Sequence, residues 1–365
     1  MPTTTRAAVT RSKGVVEIED IRIEDPQPDE VLVRIESSGI CRTDLEIIDR
    51  TVDLPLPIVA GHEGAGIVEA VGADVTTVTV GDTVALGIAS CGTCPRCRSG
   101  HPTYCDNHVP MNFTGLRPDG STGLRDADNR PIHAHFMRQS AWAGYALAHS
   151  SNTVKITQDV DHAVLGPFGC GISTGAGAVW DTLGIEPGTS VAVFGLGAVG
   201  QAAVMAAKVA GATTIIAVGN RRPKLDLARE LGATHTISQA DGNVEDLIRD
   251  ITGAGVQYSV EAAGKPRVMT TAVDVLAETG HAAITGVAPG QTFPVDAWKM
   301  IRGRTVHGTT LGDTPPAVLL PRLVELFHQG RFPVDRLLTH YRLEDIKQAI
   351  EDVEDGSTVK AVLHP

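Results

Sequence analysis

The chain has 365 residues, with 31 Lys and Arg against 43 Asp and Glu, a formal net charge of −12, and 42% apolar residues. That length suits two domains with real cores, and the acid surplus disfavours nucleic acid or an anionic membrane surface as the main partner. No apolar run reaches the ~18 residues of a membrane span, and Met1 to Val16 hold no apolar core followed by a cleavage site, so a cytoplasmic chain is expected.

Up to about residue 155, short strands broken by Gly and Pro are predicted at 31–35, 65–71, 83–86 and 144–147, which describes a β-rich first domain. From about residue 172 the texture changes. Strands are predicted at 190–194, 213–218, 234–237, 257–261 and 282–287, with helices between them at 198–210, 223–231, 244–251 and 268–277. Such alternation is the signature of βαβ units on a parallel sheet. Gly211, Gly232, Gly253 and Gly280 each follow a helical segment, where the residue past the helix end needs φ > 0. The tail predicts helices near 315–327 and 343–353 and a strand at 359–363, and is read as returning to the first domain. The expected division is 1–170 with 310–365, and 171–309.

Gly195-Leu196-Gly197-Ala198-Val199-Gly200 follows the apolar strand and opens an apolar helix. In that setting it is a dinucleotide-binding fingerprint: Gly195 for the turn, Gly197 for approach of a pyrophosphate to the helix N-terminus, Gly200 for close helix–strand packing. An NAD site puts an acid at the end of the second strand to hold the ribose 2′-OH. Here that strand ends in Gly219-Asn220-Arg221-Arg222. Gly219 leaves room for a 2′-phosphate and two guanidiniums stand close enough to bind it, so NADP is expected over NAD; the alternative is that both arginines only solvate a helix start.

Four of the six cysteines lie within fifteen residues, as Cys91-x2-Cys94-x2-Cys97-x7-Cys105. Four thiolates suit a closed, structural tetrahedral zinc. An iron–sulfur cluster competes, but the dinucleotide fingerprint favours zinc, and a zinc ribbon gripping nucleic acid is opposed by the net charge. Cys41 and Cys170 remain, each in a distinctive setting, together with His62 and Glu63 in Gly61-His62-Glu63. Two thiolates and one imidazole make three protein ligands and leave a fourth position open. Singly, each of these residues is ambiguous.

Taken together these residues resemble the zinc-dependent medium-chain alcohol dehydrogenases over nearly the whole chain. The carriers, in order, are Gly39-Ile40-Cys41-Arg42-Thr43-Asp44, Gly61-His62-Glu63-Gly64-Ala65-Gly66, the four-cysteine loop, the run from Gly169-Cys170 to Gly177, and Gly195 to Gly200. Within the family, Cys170 to Ala178 and Gln139-Ser140-Ala141-Trp142-Ala143-Gly144-Tyr145-Ala146-Leu147 look most like the benzyl or aryl-alcohol dehydrogenases. The resemblance implies an α/β chain with a GroES-like β-rich catalytic domain and a Rossmann cofactor domain. It further implies two zincs per chain: a structural one on the four-cysteine loop and a catalytic one on Cys41, His62 and Cys170. Asp44 orients His62 in that scheme, and Glu63 sits just behind the metal, able to displace a ligand. Thr43 hydrogen-bonds the reacting oxygen and passes its proton onward, while Arg42 and Lys360 contact the cofactor pyrophosphate.

Three positions depart from the family pattern. Glu46 stands where many relatives have the histidine that ends the proton relay. Gly87 stands where a bulky aromatic is common, with Phe136 and Met137 as apolar lining, which suggests a wide pocket. The segment from Asp106 to His135 is long, as in dimeric members, so a homodimer is expected. The function expected is hydride transfer between NADP(H) and a bulky apolar, aromatic primary alcohol/aldehyde pair. The alternative is a biosynthetic reductase of the same fold acting on an activated C=C or iminium bond.

Overall fold

The computed structural model describes residues 3–365, which form two compact units. The first runs to Cys170 and takes up again at Thr314–His328 and Asp335–Pro365; the second is Gly171–Asp313 with Gln329–Val334. The tail is therefore interrupted: a six-residue excursion leaves the first unit and joins the second. No helix among the described residues is long and apolar enough to cross a membrane.

In the first unit an N-terminal hairpin, Thr3–Ser12 with Val15–Ile23, anchors one sheet. A second sheet is built around Glu30–Gly39, which pairs with Gly64–Val71 on one side and Tyr145–His149 on the other. The end of that central strand also pairs with the last strand of the chain, Val362 opposite Gly39 and Leu363 opposite Ser38. This pairing gives the C-terminal segment its place in the first unit. The core between these elements is aliphatic, from Ala7 and Val9 through Ile47 and Ile58 to Leu363, with Trp142 and Phe136 fully enclosed.

The second unit is a six-stranded parallel sheet in the spatial order His235–Ser238, Thr214–Gly219, Ser190–Phe194, Val256–Glu261, Leu276–Ile284, Thr305–Gly308. Strand order reverses beside Ser190–Phe194, where doubly wound folds bind dinucleotides. Val191 to Phe194 are buried throughout, as expected for a strand covered by helices on both faces. Two expectations fail locally. The helix expected at 268–277 is Pro266–Asp274, and Gly280 lies inside the strand Leu276–Ile284 rather than past a helix end. Leu276 opposite Val256 begins the sheet pairing, and burial on the sheet overrides helical periodicity there. The edge strand Thr305–Gly308 carries no pattern that the sequence reading caught.

Candidate active site

Cys41 caps the short helix Arg42–Ile48, which is held by burying Leu45, Ile47 and Ile48. Asp44, three residues on, reaches back to accept from the Cys41 N–H at 2.9 Å, closing the first turn. Its other oxygen accepts from the Gly61 N–H at 3.0 Å and from His62 Nδ1 at 2.9 Å. One buried carboxylate thus fixes a cysteine backbone, a glycine turn and an imidazole ring. With Nδ1 engaged, Nε2 is the free face of His62, and it is buried without a hydrogen-bond partner. Buried polar atoms are rarely left so.

Cys170 supplies the third donor, its Sγ 4.0 Å from that of Cys41. Donor atoms of Cys41, His62, Glu63 and Cys170 all lie within 4.8 Å of one another. Zn–S bonds of about 2.3 Å in a tetrahedron put sulfurs roughly 3.8 Å apart, so the donor set fits zinc. The Cys170 contact holds the Cys41 thiol well below its usual value and pushes Cys170 well above its own, burial resisting the first shift and adding to the second. Burial also pulls His62 down, but Asp44 together with Cys41 keeps the imidazole well above its ordinary value.

Glu63 and Lys360 form a buried ion pair. Lys360 Nζ donates to both Glu63 oxygens, at 2.7 and 2.8 Å, and to the Ile40 carbonyl at 3.0 Å. Burial pushes the Glu63 carboxyl up against the pull of the ammonium, while the ammonium, despite burial, is raised by the carboxylate. Gly39 makes the placement feasible, since a Cβ there would fall 1.9 Å from Glu63 Oε2. A carboxylate enclosed in the core needs a counter-charge, and Lys360, expected as a pyrophosphate contact, supplies it here.

Thr43 is half-buried next to Cys41. Arg42 is 70% exposed, with its Nε 3.8 Å from Glu46. The Glu46 side chain is 13% exposed, and burial raises its carboxyl against the pull of Arg42. Phe136 is fully buried and meets the His62 ring edge-on, centroids 5.1 Å apart. The room expected at Gly87 is partly taken: a Cβ there would come 3.3 Å from Pro316.

The four-cysteine loop also closes on itself. Sγ separations are 3.5 Å for Cys94 and Cys97, and 4.0 Å for Cys91 with Cys97 and for Cys94 with Cys105. Backbone N–H groups of Cys91, Cys94 and Asn107 aim at the sulfurs, each at 3.4 Å, as suits thiolates held for a metal. All four donors form a second compact cluster.

In the second unit a cavity of about 230 Å³ lies over the glycine-rich turn. Gly195 has φ +87, and a Cβ on Gly200 would fall 1.8 Å from the Gly195 carbonyl, whereas Gly197 faces open space. Gly219, Asn220 and Arg221 line this cavity, joined by Lys224 and Lys265, which sequence reasoning missed. Those two lysines lie five and forty-six residues beyond Gly219, and only the sheet brings them to one rim. Arg222 departs from expectation: it is 81% exposed, does not line the cavity, and its Nε pairs with Asp226 one helical turn on, at 3.0 Å. Arg221 makes no ion pair among the described residues.

Comparison with known proteins agrees with both units. Residues 27–158 match the alcohol dehydrogenase GroES-like domain and residues 198–328 the zinc-binding dehydrogenase family. Geraniol dehydrogenase of Castellaniella defragrans is 40% identical over 98% of this chain and 97% of its own length. A crystal structure of an alcohol dehydrogenase zinc-binding domain protein from Burkholderia ambifaria superposes with TM-score 0.98 at 46% identity, covering 100% of this chain and 99% of that one. Benzyl alcohol dehydrogenase of Acinetobacter calcoaceticus superposes with TM-score 0.96 at 41% identity, covering 99% of each.

Proposed function

The chain belongs to the zinc-dependent medium-chain alcohol dehydrogenase family, and on that premise we propose that it interconverts a bulky apolar, aromatic primary alcohol and its aldehyde with NADP(H). Zinc-dependent alcohol dehydrogenase activity, a small-molecule alcohol substrate and a nicotinamide dinucleotide follow from the family. The observation that carries the reading is the convergent donor set of Cys41, His62 and Cys170, with a buried imidazole nitrogen that has no hydrogen-bond partner.

In the proposed site those three residues would hold the catalytic zinc, and Cys91, Cys94, Cys97 and Cys105 a structural one. Bound there, zinc would supply Lewis acidity toward the oxygen of the alcohol or aldehyde, and a nicotinamide would carry the hydride. The chain's own residues then have separate tasks. Asp44 fixes the His62 ring and tautomer, because its oxygen accepts the Nδ1 proton. Thr43 would accept a hydrogen bond from the reacting hydroxyl and hand its own hydroxyl proton onward as that proton arrives, so that it stays neutral. Phe136 excludes water from one side of the imidazole, and Glu63 is kept behind the donor set by Lys360.

Support for the aromatic or similarly bulky substrate comes from the relatives, named for benzyl alcohol and geraniol. NADP preference is supported by the absence of a carboxylate at Gly219 and by Arg221 on the cavity rim. A homodimer is the proposed assembly. Thr305–Gly308 is an open sheet edge, and nearby Trp298 and Ile301 are 67% and 72% exposed, an apolar surface of the kind subunit contacts cover. Metal analysis should find two zincs per chain, and Cys170→Ala should fold with one; full activity in that variant would sink the assignment. Steady-state comparison of NADPH and NADH on aromatic, terpenoid and short aliphatic aldehydes tests the substrate and cofactor together.

A further inference from the structure

Two buried primary amides behind the donor set have no part in the roles above. Gln139, 1% exposed, accepts from the Gly64 N–H through Oε1 at 2.9 Å and donates through Nε2 to the carbonyls of His62 at 2.9 Å and Gly87 at 3.0 Å. Asn152, fully buried, donates through Nδ2 to the carbonyls of Gly87 at 3.1 Å, Met137 at 3.0 Å and Arg138 at 3.3 Å. The orientation of Gln139 follows from its partners: turned over, its oxygen would face two carbonyl oxygens and its nitrogen an N–H.

The need for this amide is a matter of sheet geometry. Gly64–Val71 pairs with Thr83–Leu86, but on that side the ladder stops at Ala65 opposite Ala85. The backbone groups of Gly64 and His62 continue past the pairing, into a place without water, and must find partners. The carboxamide of Gln139 acts there as an inserted peptide unit. It sits on an unusual stretch of chain: His135, Met137, Arg138 and Ser140 have φ of 61, 47, 54 and 53, in the left-handed region, and none is glycine. Such conformations persist only where the surroundings over-determine them. Here Asn152 binds two carbonyls of the stretch, and Ser140 Oγ accepts from the Phe136 N–H at 3.1 Å.

We infer that Gln139, seated by Asn152, is a positioning residue that fixes the His62–Gly64 backbone and so the direction in which the His62 ring presents Nε2 to the metal. Asp44 grips the imidazole from the ring side; Gln139 grips the main chain on both sides of the same residue. The shared Gly87 carbonyl couples that grip to the end of the strand Thr83–Leu86, against which Gly169, next to Cys170, packs so closely that a Cβ would fall 2.0 Å from the Leu86 carbonyl. Two of the three ligands are thereby registered to one amide. The inference rests on the zinc reading of Cys41, His62 and Cys170.

The test compares Gln139→Met, which keeps the volume and removes the hydrogen bonds, with Asn112→Leu. Asn112 is an equally buried amide that also makes three hydrogen bonds, with Ala89 N–H, Ala89 carbonyl and His108 carbonyl. Full-length protein is exposed to a chelator, and release is followed for the zinc that Cys170→Ala lacks. Cobalt-substituted protein adds the visible spectrum of the same site. Q139M should release that zinc roughly 10- to 100-fold faster and shift the cobalt bands, while N112L, with a comparable drop in Tm, should do neither. Equal release from both variants at equal distance below their Tm would overturn the inference. If Q139M does not fold, Gln139→Asn, one methylene too short to span the same partners, enters the same comparison. A wild-type chain with a single zinc would overturn the zinc reading and this inference with it; two zincs with unchanged release in the variant would overturn the inference alone.

Discussion

At Gly219 the absence of a side chain sets the charge of the cofactor rim. A Cβ there would meet Leu196 Cδ1 at 3.0 Å and Cγ at 3.4 Å, a contact that a flexible leucine relieves by a small turn. Gly219→Asp therefore folds, and its carboxylate repels a 2′-phosphate while accepting from a ribose hydroxyl. The kcat/KM ratio of NADPH to NADH should fall by at least about tenfold, since a hydrogen bond to a charged group contributes ~1.5 kcal/mol or more. An unchanged ratio would mean that Arg221 does not read the phosphate. His135 carries a second residue-scale prediction. It is 1% exposed, and burial pulls its pKa down to about 4, although Glu30 opposes the shift. Between that value and an ordinary ~6.5, the unfolded chain binds the proton and the folded chain does not, so stability rises with pH across this window and is lost on acidification. His135→Asn, a residue that accepts left-handed backbone, should remove on the order of 3 kcal/mol of that pH dependence in urea titrations between pH 6.5 and 4. The same acid slope in wild type and variant would assign it to other groups.

Among the elements, the long segment after the four-cysteine loop holds one short helix, His108–Asn112, and two two-residue strands, and is braced by charge as well. Arg117 donates to both oxygens of Glu30, at 2.8 and 2.7 Å, where the strand Glu30–Gly39 begins, and also reaches Glu24 at 3.1 Å. Burial alone would raise the Glu30 carboxyl, yet the guanidinium beside it brings the balance below the usual carboxylate range. Removing one partner of such a pair strands the other, at a cost of about 3–5 kcal/mol. Glu30→Gln should fall near the lower end, because Glu24 stays, and the loss should appear as a lower urea midpoint with an unchanged slope. The sequence shows a long segment here but not its brace, because Glu30 and Arg117 lie 87 residues apart. The zinc-ligand elements were more legible. Cys41-Arg42-Thr43-Asp44 contains its own capping geometry, although the meeting of Cys41 with His62 and Cys170 depends on pairing between distant segments.

For the whole molecule, the open edge Thr305–Gly308 and the exposed Trp298 and Ile301 lead to an assembly prediction. Trp298→Glu with Ile301→Glu should convert a dimer to monomers in sedimentation analysis while leaving the zinc count intact; a wild type that sediments as a monomer would dismiss the dimer. By itself the sequence determined the parallel-sheet alternation, the glycine fingerprint and the spacing of the four-cysteine loop, because each depends on periodicity or close spacing, whereas the set of Cys41, His62 and Cys170 was read through the family resemblance. Tertiary structure alone decided what surrounds them. Lys360 became the counter-charge of Glu63 across 297 residues, Arg222 turned to Asp226, Lys224 and Lys265 joined the cofactor rim, and Gln139 took the place of a missing strand. Each of these is a partner choice enforced by burial: a charge or amide removed from water must bind whatever the fold brings within reach, and that neighbour is fixed by sheet pairing between distant segments, not by spacing along the chain.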